Sequence, residues 1–458
     1  MFQYKPLAAA ILALVSFQAL ADDSLSNQTQ NGFENVAEVQ QDAATSTATQ
    51  DQTGDGNNAY ADQSNGTGTL IQTQNGQFNA STGVQDTEAG SQITHTQTGE
   101  WNGAHSEQWF NDSSHATVTQ DGDYNSAFSF QDSQIGSRVE INQGDSENIA
   151  NAEQIAGTDN QTTIDQAGMA NESGTWQIDQ TGSRIGIQQG GELNTAYVDQ
   201  SQGNTNQVDV FQTGESGYLE VWQTEQEGSQ VSIEQGGGAL NELVVDQSFG
   251  SGNLATMIQS GDTNAAWADQ YQSTDSTTTV TQAGSSNLAL TYQEGDRLGL
   301  TVSQSGNDNN VYASNWQGAQ EGGQFGTDQA VVLSQDGNRN TANFTQAGNF
   351  NELYFDQVGD DNTLAISQRD SNNLAEGSSE GIGNNVEMDQ SGSLNLSQVY
   401  QSAGGGNTAS ITQADMNNIS VVTQAGWDNQ AIITQSNFNQ NSVIDQTGTG
   451  NSAIVVQQ

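Results

Sequence analysis

The chain has 458 residues, no cysteine, one proline and 51 glycines, and only 32% of it is apolar. That is too little apolar side chain for the two or three cores of an enzyme of this length, and no disulfide framework can stand in for them. The formal net charge of −49 makes a surface that repels nucleic acid and anionic lipid. A chain this polar is disordered unless a regular repeat lets backbone and side-chain ladders hold it.

Residues 1–21 have the form of a secretory signal. Lys5 supplies the positive region, Leu7 to Phe17 the apolar region, and Ala19-Leu20-Ala21 a small-x-small cleavage site. The mature chain is therefore expected to start at Asp22 and to be secreted. The apolar run is too short for a membrane anchor, no later segment could span as a helix, and no stable membrane insertion is expected.

From there glutamine recurs in phase. Between Gln30 and Gln457 there are 38 anchor positions, all Gln except Asn315 and Ser379, at steps of 11 or 12 residues with one exception. The full unit is Ser91-x5-Gln97-x-Gly99-x2-Asn102-x5-Gln108, and Asn264 to Gln270 and Asn429 to Gln435 repeat its half. Counting the Asn or Ser as zero, positions 2 and 4 are small or β-branched, as in Val208 and Val210 or Val231 and Ile233. Positions 1, 3 and 5 are polar or aromatic. Period-two alternation is the pattern of a strand with one buried face, and the Gly-containing segments supply turns.

Two strands and two turns give a coil of 22–23 residues. The predicted fold is all-β: a β-solenoid of about 19 coils with two parallel sheets facing each other, a rod roughly 90 Å long at roughly 4.8 Å per strand. Asn or Ser at position 0 and Gln at position 6 share the inward face and are expected to stack into amide ladders.

In chain order, residues 22–90 hold poorer coils, because the half-unit Ser24 to Gln30 puts Ser26 and Gln28 at core positions. Residues 91–317 are regular. The 20-residue step from Asn315 to Gln335 predicts an inserted loop over 318–327. Regular repeats resume over 328–458, with one weak half-unit, Asn373 to Ser379, where Gly377 takes a core position. The last strand, Asn451 to Gln457, has Ala453 and Val455 inward, and the chain stops at Gln458. With no capping segment after it, this strand is expected to be an open edge that allows end-to-end growth.

No catalytic, cofactor or metal site is predicted. His95, His105 and His115 lie close in sequence, but repeat phase points His95 inward and the other two outward on different half-units. No nucleophile motif such as G-x-S-x-G stands out, and the calcium-binding nonapeptide is not repeated. Asp165, Asp199, Asp246, Asp269, Asp356 and Asp445 flank the anchors, where they keep the surface soluble. Asp246 and Asp269 fall at the same position one coil apart, so mutual repulsion is expected to raise their folded-state pKa. Phe130, Trp176, Phe211, Trp222 and Tyr292 point outward and are read as cross-strand packing, with contact between fibres, or dye and polysaccharide binding, as the alternative.

The unit from Ser91 to Gln108 resembles the curlin repeat, and the resemblance covers nearly all of the mature chain. It implies a subunit of curli, the extracellular amyloid fibres of Gram-negative biofilms. It further implies self-association into a homopolymer, a minor curlin nucleator as partner, and export through an outer-membrane curli secretion channel. The chain departs from the family in having no Gly-rich segment after the signal. The alternatives are that it is itself the minor nucleator, or a monomeric solenoid adhesin or ice-binding rod. Ice binding calls for regular outward Thr-x-Thr ladders, and the sequence shows scattered cases such as Thr277 to Thr279.

Overall fold

Short strands with one apolar face, bounded by Asn and Gly, bury that face only by winding the chain on itself. The computed structural model describes residues 23–314 and 322–458; the expected signal over 1–21 and Asn315 lie outside the described residues. Each described strand pairs in parallel with a strand one coil later, in unbroken register over most of the rod: Gln97 opposite Gln120, Gln108 opposite Gln131. One sheet of 19 strands runs from Leu25–Phe33 to Asn441–Thr449. The other runs from Val36–Asp42 to Ser452–Gln457. The protein is thus the expected all-β solenoid of about nineteen turns.

Positions 2 and 4 of both sheets meet in a thin core. Val231, Ile233, Val245 and Ile141 are all at most 2% exposed. Toward the N-terminus the core changes chemistry. Gln28, Gln50, Gln72 and His95 occupy one inward column, followed by Val118. Gln28 Nε2 donates to Gln50 Oε1 and Gln50 Nε2 to Gln72 Oε1, each at 2.8 Å. The coils of residues 23–90 therefore wind like the rest, apart from one register shift between Thr67 and Gly68, with an inner amide ladder where other coils have Val or Ile.

Two irregularities have local causes. Gly377 lies in register between Phe355 and Val399. A Cβ there would be 3.0 Å from the Phe355 ring, so the large neighbour fills the space that glycine leaves. The insertion differs from expectation. Gly323–Thr327 is a strand, not loop. It continues the half-unit that Asn310–Ala313 begins, pairing with Gln293 to Asp296 as Asn310–Ala313 pairs with Leu288 to Thr291. Gln324, not Asn315, holds the anchor position: it accepts from Gln293 at 2.8 Å and donates to Gln346 at 2.9 Å. The extra residues thus interrupt a strand after its core positions. The expectation erred because Asn315 falls at the regular step from Gln304.

Candidate assembly surface

One turn recurs in many of the coils, and it fixes the amides. Gly99 has φ 110°, and a Cβ there would sit 2.0 Å from the carbonyl oxygen of Gly122 in the next coil. No L side chain fits, which accounts for the glycine two residues after the anchor. The residue before each Asn is left-handed too, even where it is Trp101 (φ 60°) or Leu193 (φ 58°). Phe78, Trp101 and Tyr124 stack on one another along this turn, with centroids 4.6 and 6.4 Å apart.

Between the turns run directional ladders. Gln97 Nε2 donates to Gln120 Oε1 at 2.8 Å and to Ala80 O on the facing strand at 2.9 Å, while its Oε1 accepts from Gln74 at 2.8 Å. Gln108 donates to Gln131, Gln270 to Gln293 and Gln435 to Gln457, all within 2.9 Å. Each glutamine thus points its N–H groups toward the C-terminal coil and across the core. Asparagines run the other way: Asn102 N and Nδ2 donate back to Asn79 Oδ1, Asn264 to Asn241, Asn429 to Asn407 and Asn451 to Asn429. Ser91 Oγ accepts from Ser114 N at 3.2 Å in the facing sheet's equivalent column. Ser379 takes a glutamine's place and passes the ladder to Gln401 through Oγ at 2.8 Å.

Among the described residues the ladders end at the strands Leu25–Phe33 and Val36–Asp42 on one side and Asn441–Thr449 and Ser452–Gln457 on the other. The first strand, Leu25–Phe33, is exposed along its whole length. In the last, Ala453 and Val455 are half-buried against the core. Gln446 and Gln457 each bond the facing strand, at Gln430 O and Asn441 O, and each keeps one amide N–H for a further coil. The first coil offers Gln30 and Gln41 Oε1 as the matching acceptors.

The histidines do not converge. His95 is fully buried, with Nδ1 2.8 Å from Ser81 Oγ and Nε2 2.7 Å from Ser106 Oγ, and burial pushes its pKa down to about 3. His105 is on the outer face of the other sheet, 2.7 Å from Glu107 and stacked on Phe128; His115 is exposed on the first sheet. The serines facing His95 escaped sequence reading, because each lies at a core position of a different half-unit. The outward threonines are less scattered than the sequence suggests. Thr73, Thr96 and Thr119 stack in register, as do Thr256, Thr279 and Thr301, but Ile71 interrupts the column of Thr94 and Thr117.

Charge is distributed along the rod with little compensation. All five arginines pair with a carboxylate: Arg138 with Glu140, Arg184 with Asp209, Arg297 with Asp328, Arg339 with Asp361 and Arg369 with Asp389. Asp246 and Asp269 are neighbours in register. Asp269 is pushed up to about 7, first by burial and then by Asp246 and Glu294. Burial, more than the expected repulsion, is the leading cause. Burial also lifts Asp246 and Asp199, and takes Glu88 to about 7.

A carboxyl whose folded pKa is raised keeps its proton in the rod at pH values where the unfolded chain has lost it. The resulting stability is present at low pH and lost as pH rises from the ordinary carboxylate range through about 7. Arg297 and Arg339 hold Asp328 and Asp361 below that range, an opposing effect confined to more acid conditions. Thermal unfolding of the mature protein should therefore occur at higher temperature at pH 5 than at pH 8. The double variant Asp246→Asn/Asp269→Asn should narrow the gap and raise stability at pH 8. An unchanged gap would show that these carboxyls are not responsible.

A family model, the curlin associated repeat, matches residues 273–314 and 326–369. The break between the two matches coincides with the strand interruption between Ala313 and Gly323. No curated protein matches the chain.

Proposed function

This chain is a curlin-repeat protein, and we propose from that premise that it is a structural subunit of extracellular curli-like amyloid fibres. In this reading it is secreted, leaves through an outer-membrane curli channel, and polymerises at the cell surface, where the fibres serve adhesion and the biofilm matrix. One observation supports this above the rest: the terminal coils complement each other. Setting the last coil of one copy on the first coil of the next puts Gln446 on Gln30, Gln457 on Gln41 and Asn451 on Asn35. Ala453 then meets Ala37 and Val455 meets Val39. Glutamine N–H groups find glutamine oxygens, asparagine oxygens find asparagine N–H groups, and each exposed strand edge gains a parallel partner. A head-to-head joint sets acceptor against acceptor. A minor curlin nucleator would work by presenting the same edge.

The end strand gives the test. Val455→Asp puts a charge in the joint, against Val39 of the next copy, where it has no partner. Fibre growth, followed by thioflavin fluorescence with preformed seeds, should slow about tenfold or more if the charge costs at least ~1.4 kcal/mol in the joint. Val456→Asp, at a side chain 58% exposed on the outer face, should leave growth near wild type. Equal rates for the two variants would mean that this strand is not the growing edge.

A further inference from the structure

The apolar core divides in two near the N-terminal end, and a histidine sits at the division. Ala48, Ala61, Leu70, Ile93 and Ala116 form one small buried cluster, with Val39 against it. From Ala104 and Val118 a second cluster continues to Ile444. Between them lies a polar layer: Ser81, His95, Ser106 and Ser129 are all at most 1% exposed. The inner amide ladder also stops here. Gln50 donates to Gln72, but Gln72 Nε2 turns to the facing strand and donates to Tyr60 O and Ser81 O, at 2.9 and 3.0 Å. His95 follows Gln72 in the column, and Val118 follows His95 with no side-chain group that could continue the ladder.

The hydroxyls around the ring suit its neutral form. Ser129 Oγ donates to Ser106 Oγ at 2.6 Å, which leaves Ser106 to donate to His95 Nε2 at 2.7 Å. Nδ1 then carries the ring hydrogen and donates to Ser81 Oγ at 2.8 Å. A second ring proton would enter at Nε2, against the Ser106 hydroxyl hydrogen, and would bury a charge that has no carboxylate partner among the described residues. The strands packed on His95 are Thr67–Gln77, Ala80–Asp86, Gly103–Trp109 and His115–Asp123. Their charged groups and those of its own strand are Asp86, Glu100, His105, Glu107, His115, Asp121 and Asp123, all on outer faces or at strand ends. Glu88, in the turn before the strand, is buried and accepts from Asn111 N at 3.3 Å. Burial, with His105 adding to it, holds the pKa of His95 at about 3.

A histidine that is neutral in the fold and takes a proton when the fold opens contributes stability at neutral pH. That stability is lost as pH falls from 6.5, its ordinary value, to about 3. In a solenoid each coil is held by its two neighbours, so a defect at one coil releases the shorter side. Here the shorter side has the small core and a first strand exposed along its whole length. Asp199, Asp246 and Asp269, which burial makes stabilising in acid, all lie beyond His95. Acid therefore acts in opposite directions on the two parts of the rod. We propose that His95 is an acid-sensitive joint: its protonation opens the coils of residues 25–93 while the rod from residue 116 onward stays wound. This rests on the solenoid alone and holds whether or not the rods polymerise. In the assembly reading above, the coils that open carry the acceptors Gln30 and Gln41, so acid would remove one half of the joint between copies.

Hydrogen exchange of the mature protein, read by mass spectrometry at pH 4.5 and pH 3 and corrected for the intrinsic rate, tests this. The interval lies well below the value of about 7 that Glu88 has in the fold, so Glu88 adds little to the change. Protection over residues 25–93 should fall about tenfold, and protection over residues 116–446 should hold. Asp86, kept below the ordinary carboxylate range by Asn65 and Ser64, is a second acid-sensitive group on the same side, so substitution of the histidine decides. His95→Gln continues the column of Gln28, Gln50 and Gln72, and His95→Val matches Val118; neither side chain titrates. In either variant the N-terminal loss at pH 3 should shrink to about threefold or less. Each variant is decisive alone, so one that fails to fold leaves the other as the test. Unchanged wild-type protection at pH 3, a loss spread evenly along the rod, or a full N-terminal loss in a folded variant would overturn the proposal.

Discussion

Replacing Val231 and Ile233 together by aspartate should abolish fibre formation under conditions where Ser232→Asp leaves it intact. Val231 and Ile233 are 1% and 2% exposed and point into the core, whereas Ser232 between them is exposed. Their neighbours in register are Val208 and Val210 on one side and Ala255 and Met257 on the other. None of these can hydrogen-bond a carboxylate or offset its charge. Burying each unpaired charge costs at least several kcal/mol, on top of the lost apolar contact of roughly 1.5–3 kcal/mol per side chain. In a stack where each coil is held only by its two neighbours, such a defect divides the rod. Thioflavin kinetics and circular dichroism of the two variants check this. Similar behaviour would show that the inward and outward faces are wrongly assigned.

The second large effect is expected in the amide ladder. Gln97→Leu keeps the volume roughly constant but leaves two groups without partners, one N–H of Gln74 and the Oε1 of Gln120, and takes a second donor from the carbonyl of Ala80, which keeps its ladder bond to the next coil. At roughly 1–3 kcal/mol for each of the two buried orphans, the loss is on the order of 2–6 kcal/mol. By contrast Thr98→Leu, one residue after the anchor and exposed, should cost under about 0.5 kcal/mol. Urea unfolding of both variants gives the comparison. A Gln97→Leu midpoint close to wild type would mean that the ladders record register without contributing stability.

Much of this architecture was legible in the chain because its period is carried by residues with one structural use each. Anchor glutamines, turn glycines and the alternation of Val231, Ser232 and Ile233 gave the coil length, the two faces and the inward position of His95. What escaped depends on relations between coils, which a reading along the chain does not contain. Gln324 was missed because Asn315 satisfied the local step. Only the register with Gln293 and Gln346 shows which residue fills the column. Gly377 looked like a defect until Phe355, one coil earlier, was found to fill its space. Gln28 and Gln50 looked like poor core residues, but an amide is well placed inward when the next coil supplies another. The opposed directions of the Gln and Asn ladders, which give the rod two different ends, follow from side-chain orientation and leave no trace in composition or spacing.

Electron microscopy with fibre diffraction on purified residues 22–458 tests the central claim most directly. End-to-end stacking of the coils predicts unbranched fibres with a meridional reflection near 4.8 Å, the spacing of strands along each rod. A protein that stays monomeric at high concentration, or fibres that lack this reflection along their axis, would contradict it.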